Sequence, residues 1–337
     1  MGKTGRAIWV AAALAVVAMF LISMCAGRFP LSLPQIGEAL LQRFFGCDFG
    51  LGPDVESVVA DNRLPRALMG ALVGAALAAS GCAFQGLFQN PLVSQGILGV
   101  SSGAGFGAAL SILLFSSTLF TPAFAFVFAL LAVWLSFMVA RMCGEVTSLM
   151  LVLGGTVISA IFAALLSFLK YVADPFNQLA SIVFWNMGSL ASLESAVLPF
   201  ATLAMVVGLG LLIVSGWMLN VLSMGDQEAA SLGLSVPRAR IIVISGATLA
   251  TAGAVSIAGT IGWVGLIIPH VSRFLVGSDN RKLIPFSMLV GAAFMMLIDL
   301  LCRTITGSEI PLGILTSLIG GPFFIYLLRR FKGRGWR

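Results

Sequence analysis

Two arginines, Arg63 and Arg66, flank a proline in "DNRLPRALMG" (61–70) at the mouth of a long apolar run, and "IDLLCR" (298–303) sets Asp299 four residues before Arg303. A guanidinium is a planar fork of donors suited to carboxylates, phosphates and carbonyl oxygens; it binds and orients, and it is no base. Catalytic groups are sparse. His270 is the single histidine, and the carboxylates do not cluster, so metal-dependent or general acid–base catalysis has almost nothing to work with. "GKT" at 2–4 matches the end of a phosphate-binding loop but lacks the upstream glycine and the preceding strand, so it is read as coincidence. The expectation is a protein that is not an enzyme; any ATP hydrolysis serving it lies on another polypeptide. Five cysteines (Cys25, Cys47, Cys82, Cys143, Cys302) are dispersed without short paired spacing, which implies neither a disulfide framework nor a metal site, and no cofactor is expected.

The elements that must carry these residues are membrane helices. Of 337 residues, 59% are hydrophobic and 9% charged, against the ~25% charged of a soluble domain. No Asp, Glu, Lys or Arg occurs in the 74 residues from Ala67 to Ala140, the length of about three crossings. A barrel would alternate polar and apolar residues, so the fold class is all-α, a polytopic integral membrane protein. The net charge of +6 comes from basic residues scattered between apolar segments and gathered in "LLRRFKGRGWR", a pattern of membrane topology and not of nucleic-acid binding. The opening segment has the look of a signal peptide, with Lys3 and Arg6 before an apolar core, but its length favours a retained first helix.

Charges and Gly/Pro clusters divide the chain into about ten spans: 7–26, 64–86, 95–115, 121–140, 147–169, 196–216, 239–257, 260–276, 284–302 and 312–328. The cut between the seventh and eighth rests on Gly259, Gly262 and Gly265, because one straight helix from Arg240 to Arg273 would greatly exceed the ~30 Å hydrocarbon core. With both termini cytoplasmic, 13 of the 19 Lys/Arg fall inside and six outside, as the positive-inside rule requires. Arg63 and Arg66 then face outward against that rule, so another role holds them there. Asp299, the acidic residue placed within a span, is either a proton carrier or the structural partner of Arg303 one helical turn away. The pair is favoured, since one carboxylate makes a poor relay.

"PRALMGALVGAALAASG" (65–81) and "PRARIIVISGATLATAG" (237–253) share Pro-Arg-Ala and Gly-Ala-x-Leu-Ala-x-x-Gly in one register, and "PLVSQGILG" (91–99) pairs with "PHVSRFLVG" (269–277). In this topology the copies are inverted, a recurrent transporter build. The reading is one permease domain over 1–337, with a first repeat at about 60–170, a second at about 232–330 and a cytoplasmic loop at 217–237. The repeats' small residues, such as Gly74 and Gly81, are assigned to close helix packing. In the loop, "LSMGDQEAASLGLSV" (222–236) reads as a short helix closed by Gly233. It either docks in a partner's groove or lies on lipid as a connector.

"RLPRALMGALVGAALAASG", "QNPLVSQGILGVSSGAG", "FWNMGS", "GDQEAASLG", "GTIGWVGLIIPHVSR", "IDLLCR" and "EIPLGILTSLIGGPFFIYLL" occur in order from about 60 to 330. Together they resemble the FecCD-type permease subunits of binding-protein-dependent ABC importers for iron–siderophores, haem and vitamin B12. The resemblance implies ten helices per subunit, a homodimer around a central path in the bacterial inner membrane, cytoplasmic ATP-binding subunits and a soluble or lipid-anchored substrate-binding protein. It implies alternating access for a metal chelate; some similar permeases carry molybdate or tungstate, and an ion-coupled carrier is the remoter alternative. It assigns Arg63, Arg66 and Arg303 to docking the binding protein. Gly225, Asp226, Glu228, Ala229 and Gly233 become ATPase-coupling contacts, and Thr147 and Ser148 a cytoplasmic gate, although helix capping explains those two equally well. His270 is read as structural.

Overall fold

A computed structural model describes residues 3–27, 29–115, 119–142, 147–191, 193 and 196–331. Among them the chain is helical and has no strand. The elements are α1 (Lys3–Cys25), α2 (Leu33–Phe45), α3 (Pro53–Ser57), a π-helical turn (Val58–Arg63) that runs into α4 (Leu64–Leu87), α5 (Val100–Phe115), α6 (Thr121–Met142) and α7 (Ser148–Val172). They continue as α8 (Gln178–Met187), α9 (Leu198–Val214), α10 (Gly216–Leu222), α11 (Asp226–Ser231), α12 (Val236–Ala258), α13 (Val264–Val276), α14 (Asn280–Thr304) and α15 (Leu312–Phe331).

Among the described residues, six helical segments are long and apolar enough to cross a bilayer: Gly5–Cys25, Pro53–Leu87, Thr121–Met142, Ser148–Val172, Val236–Ala258 and Asn280–Thr304. The pair α9 and α10, bent by 53° at Ser215, makes a seventh span if taken as one. Three shorter apolar helices, Val100–Phe115, Val264–Val276 and Leu312–Tyr326, occupy the positions of the remaining expected spans. The ten apolar segments of the sequence reading are therefore all helices; α2, α3, α8 and α10 are additions between them, and α11 is the short helix expected within 222–236.

α5 and α13 are short because non-helical backbone precedes them inside the bundle. Such backbone is tolerated only where protein groups satisfy its polar atoms. The stretch before α5 is held by Ser136 Oγ donating to the Leu98 carbonyl at 3.0 Å and by Gln95 Nε2 donating to the Ile261 carbonyl at 3.0 Å. The break before α13 falls at Gly259, where the glycine prediction puts it. Gly259 has φ 69°, and a Cβ there would lie 2.3 Å from the Trp185 carbonyl oxygen. Ser189 N donates to the Ala258 carbonyl and Leu312 N to that of Gly188, both at 2.9 Å. The "FWNMGS" motif thus ties α8 to the α12–α13 break and to the start of α15.

α4 and α12, the helices that carry the repeat motif, are the most buried spans. They meet directly, with Ser80 Oγ donating to the Ala247 carbonyl at 3.1 Å. Their small residues do the packing expected of them: a Cβ on Gly74 would sit 2.1 Å from the Gly291 carbonyl oxygen of α14, and one on Gly81 1.9 Å from that of Gly265 in α13. Backbones this close gain dispersion contact in lipid, where there is no hydrophobic drive between helices. Cys25, Cys47, Cys82 and Cys302 are free thiols; Cys143 lies outside the described residues.

Candidate functional site

Three of the residues assigned to docking meet at the end of the bundle where α1 finishes and α4 begins. They are not displayed there as free surface charges. Arg63, Arg66 and Arg303 are 5%, 6% and 8% exposed; the sequence reading placed Arg63 and Arg66 on the outer side of the membrane and did not foresee their burial. The physical reason for Arg63 and Arg303 is the last turn of α1 and Phe29 just beyond it, which supply acceptors. Arg63 Nη1 donates to the Met24 carbonyl at 2.6 Å and to that of Cys25 at 3.1 Å, and its Nη2 donates to the Phe29 carbonyl. Arg303 Nη2 donates to Ser23 Oγ at 2.9 Å and to the Ser23 carbonyl.

Arg66 takes the carboxylates. Its Nη2 lies 2.8 Å from Asp299 Oδ1 and its Nε donates to the same oxygen at 2.9 Å. The two ends of its fork donate to Glu309 Oε1 and Oε2, each at 2.9 Å. The i, i+4 pair expected between Asp299 and Arg303 is present but long, 3.7 Å from Nε to Oδ2. Asp299 is thus paired chiefly with Arg66, 233 residues away in sequence. The second carboxylate, Glu309, was missed: it sits in the loop before α15, where nothing about its neighbours in sequence announces an arginine. A buried cation needs such partners, because removing one leaves an uncompensated charge in a low-dielectric interior.

The residues assigned to ATPase coupling lie at the opposite end, and the short helix expected there is α11. Asp226 is its first residue, and Gly225 (φ 117°) and Gly233 (φ 81°) bracket it. These φ values fall in the left-handed region where a Cβ is strained. Ala229 is fully buried against the bundle. Asp226 forms a two-oxygen ion pair with Arg240 of α12, at 3.0 and 2.8 Å from Nη2, while Glu228 faces the open side. The preceding turn is anchored by Gln89 Nε2, which donates to the Leu222 carbonyl at 3.0 Å.

Thr147 and Ser148 stand beside this helix. Thr147 caps α7, its hydroxyl oxygen accepting from Met150 N at 3.3 Å. Ser148 Oγ accepts from Arg240 Nη2 at 3.5 Å. The two residues, with Gln89, Asp226, Glu228 and Arg240, line a cleft of about 470 Å³. A second cleft, of about 530 Å³, opens farther along α7; Ser94, Gln95, Ser101, Thr156, Ser159 and Thr260 contribute to it, and its lining carries no charged side chain. His270 is 8% exposed and packs edge-on against Phe274 at 5.0 Å between ring centres, in keeping with a structural part.

Residues 14–330 match the model of the FecCD transport family. The chain is 42% identical over 316 residues to the molybdate import system permease protein MolB of Haemophilus influenzae, covering 93% of each. It is 40% identical over 283 residues to the cobalamin import system permease protein BtuC of Halobacterium salinarum, covering 83% of this chain and 76% of that one. Among solved structures, it superposes with a TM-score of 0.84 and 38% identity on one described as an inward-facing conformation of a putative metal-chelate type ABC transporter, covering 96% of this chain and 99% of that one. Two ion-pair sites, each rooted in a buried arginine, at opposite ends of a helical membrane bundle, with a match over nearly the whole chain, lead to one statement: the chain is a permease of the FecCD transport family.

Proposed function

We propose that two copies of this chain form the translocation path of a binding-protein-dependent importer in the inner membrane, with both termini and α11 on the cytoplasmic side. Partner ATPase subunits engage α11 and drive alternating access. The observation that carries this reading is α11 itself, a six-residue helix between two left-handed glycines, tied by one ion pair to a buried arginine of the bundle. A mere connector has no need of a buried guanidinium. Gly225, Asp226, Glu228, Ala229 and Gly233 make or shape the ATPase contact, and Thr147 and Ser148 narrow the path at that end. The outer cluster of Arg63, Arg66 and Arg303 receives the binding protein. Glu309, whose side chain is 29% exposed, is the part of that cluster an incoming carboxylate can reach and displace.

The cargo is a metal chelate of the siderophore, haem or corrinoid class, as the cobalamin relative's name suggests. A second reading, a molybdate-like oxyanion, is supported by the name of the molybdate-import relative and by the neutral hydroxyl and amide groups of Ser94, Gln95, Ser101, Thr156, Ser159 and Thr260, which share the 530 Å³ cleft with Ile97, Ile261 and Trp263. The test is reconstitution in vesicles with the ATPase and binding protein, offering molybdate, cobalamin and ferric siderophore in turn. Uptake should require ATP and all three components and should single out one class. Uptake by this chain alone, abolished by collapse of an ion gradient, would overturn the proposal.

A further inference from the structure

We infer that Arg240 is the positioning residue that transmits movement of α11 to the start of α7; this rests on α11 being the ATPase contact. Arg240 lies one turn into α12 and is 8% exposed, while the Asp226 side chain it holds is 53% exposed. The pair therefore joins a cation rooted in the bundle to an anion on a surface helix. The same Nη2 that meets both Asp226 oxygens reaches Ser148 Oγ at 3.5 Å. One guanidinium nitrogen thus touches the first residue of α11 and the first residue of α7, two elements far apart in sequence that face each other across the 470 Å³ cleft.

Three features make the contact a transmitter and not a rivet. Gly225 and Gly233, with positive φ at the two ends of α11, set the short helix off from the chain on either side, while buried Ala229 seats it on the bundle. The Gln89–Leu222 hydrogen bond ties the chain just before α11 to the residues that follow α4, and Asp226 is the side chain past that anchor that grips α12. Finally, Ser148 is at the outer limit of hydrogen-bonding distance, so a small advance or retreat of Arg240 makes or breaks it. A contact that differs between two positions of α11 is what a coupling free energy requires. One nitrogen makes both contacts, so a lysine, whose ammonium is a compact point donor, keeps the charge and is the conservative variant.

The test uses the full complex in vesicles, with the free thiols replaced by serine and a spin label at Leu149, which is 62% exposed at the cleft. The probe is ATP with vanadate, which needs no knowledge of the cargo. In the wild-type background nucleotide should change the label's mobility. In Arg240→Gln the ATPase should still co-purify and hydrolyse ATP near the wild-type rate, while the label's response falls about fivefold or more, the low end of an ordinary coupling factor. Arg240→Lys, which keeps the charge in place should the glutamine variant fold poorly, should retain most of the response. Exchange of the pair, Arg240→Asp with Asp226→Arg, should restore a response. An undiminished response in assembled Arg240→Gln complexes overturns the inference, as does a response lost in Arg240→Lys as fully as in Arg240→Gln, and as does loss of ATPase co-purification, which would make Arg240 a docking residue. If the wild-type chain recruits no ATPase at all, the reading of α11 fails first and is distinguishable from a failure at Arg240.

Discussion

At the residue scale, the chain's charges are few and the buried ones are spoken for. Arg66 is held between Asp299 and Glu309, so Asp299→Asn leaves a guanidinium short of one charge partner at a site 1% exposed. A cost of about 3–5 kcal/mol is expected from breaking such a buried pair, read as a lower melting temperature of the detergent-solubilised protein. Glu309→Gln should behave differently. Its partner arginine keeps Asp299, the glutamate is partly solvated, and the freed fork of Arg66 should bind the substrate-binding protein more tightly, with slower dissociation in a surface-capture assay. Unchanged or weaker docking in that variant would remove Arg66 from the docking surface. The arginines and Asp299 stand out in the sequence because charges are rare in it. That Glu309 completes the cluster was not legible, because the contact spans 243 residues and depends on how α4, α14 and the loop before α15 converge.

At the element scale, glycines and helix caps set where spans begin, break and touch. Gly81→Ala puts a methyl group where the Gly265 carbonyl oxygen already stands. The α4–α13 contact must open, at an expected cost of about 1–3 kcal/mol, measurable as lost yield of folded protein and a lower thermal midpoint; an unchanged midpoint would show that the helices slide apart freely. The turn between α13 and α14 is fixed by Asp279, which caps α14 and accepts from Asn220 Nδ2 of α10 at 2.6 Å, while Asn220 Oδ1 accepts from Asn280 N at 2.8 Å. Hydrogen bonds from Arg281, then from Asn220, hold the Asp279 carboxyl down at about 2. A depressed carboxyl pKa stabilises the fold above the unfolded value of about 3.9 and loses that contribution as pH falls through the folded value. Asp279→Asn should therefore be less stable than the parent at pH 7, with the gap closing as pH drops from about 4 towards about 2; a gap independent of pH would refute the ionic role. The spans were readable because apolar length and Gly/Pro punctuation are local. The small helices α2, α8 and α10 were not, since their apolar residues pack against neighbours and carry no span-length signal.

At the scale of the whole molecule, α7 leaves Leu149, Leu153, Val157 and Ile161 exposed at four-residue intervals, one face of a helix that the rest of the chain does not cover. In the proposed homodimer this face turns towards the path and the second copy. A single cysteine at Val157 in a thiol-free background should cross-link to its counterpart in native membranes, and no cross-link at any position along that stripe would argue for lipid there instead. The sequence alone determined that this is a helical membrane protein of about ten apolar segments, that the chain breaks between α12 and α13, and which family it resembles, because hydrophobic length, charge spacing and motif order are properties of neighbouring residues. Only the tertiary structure decided that the arginines at the start of α4 are buried and paired, that Asp299 belongs to Arg66 more than to Arg303, and that Arg240 stands between α11 and α7. Those contacts join residues from far-apart stretches of chain, and a charge takes whichever partner the packing brings within reach.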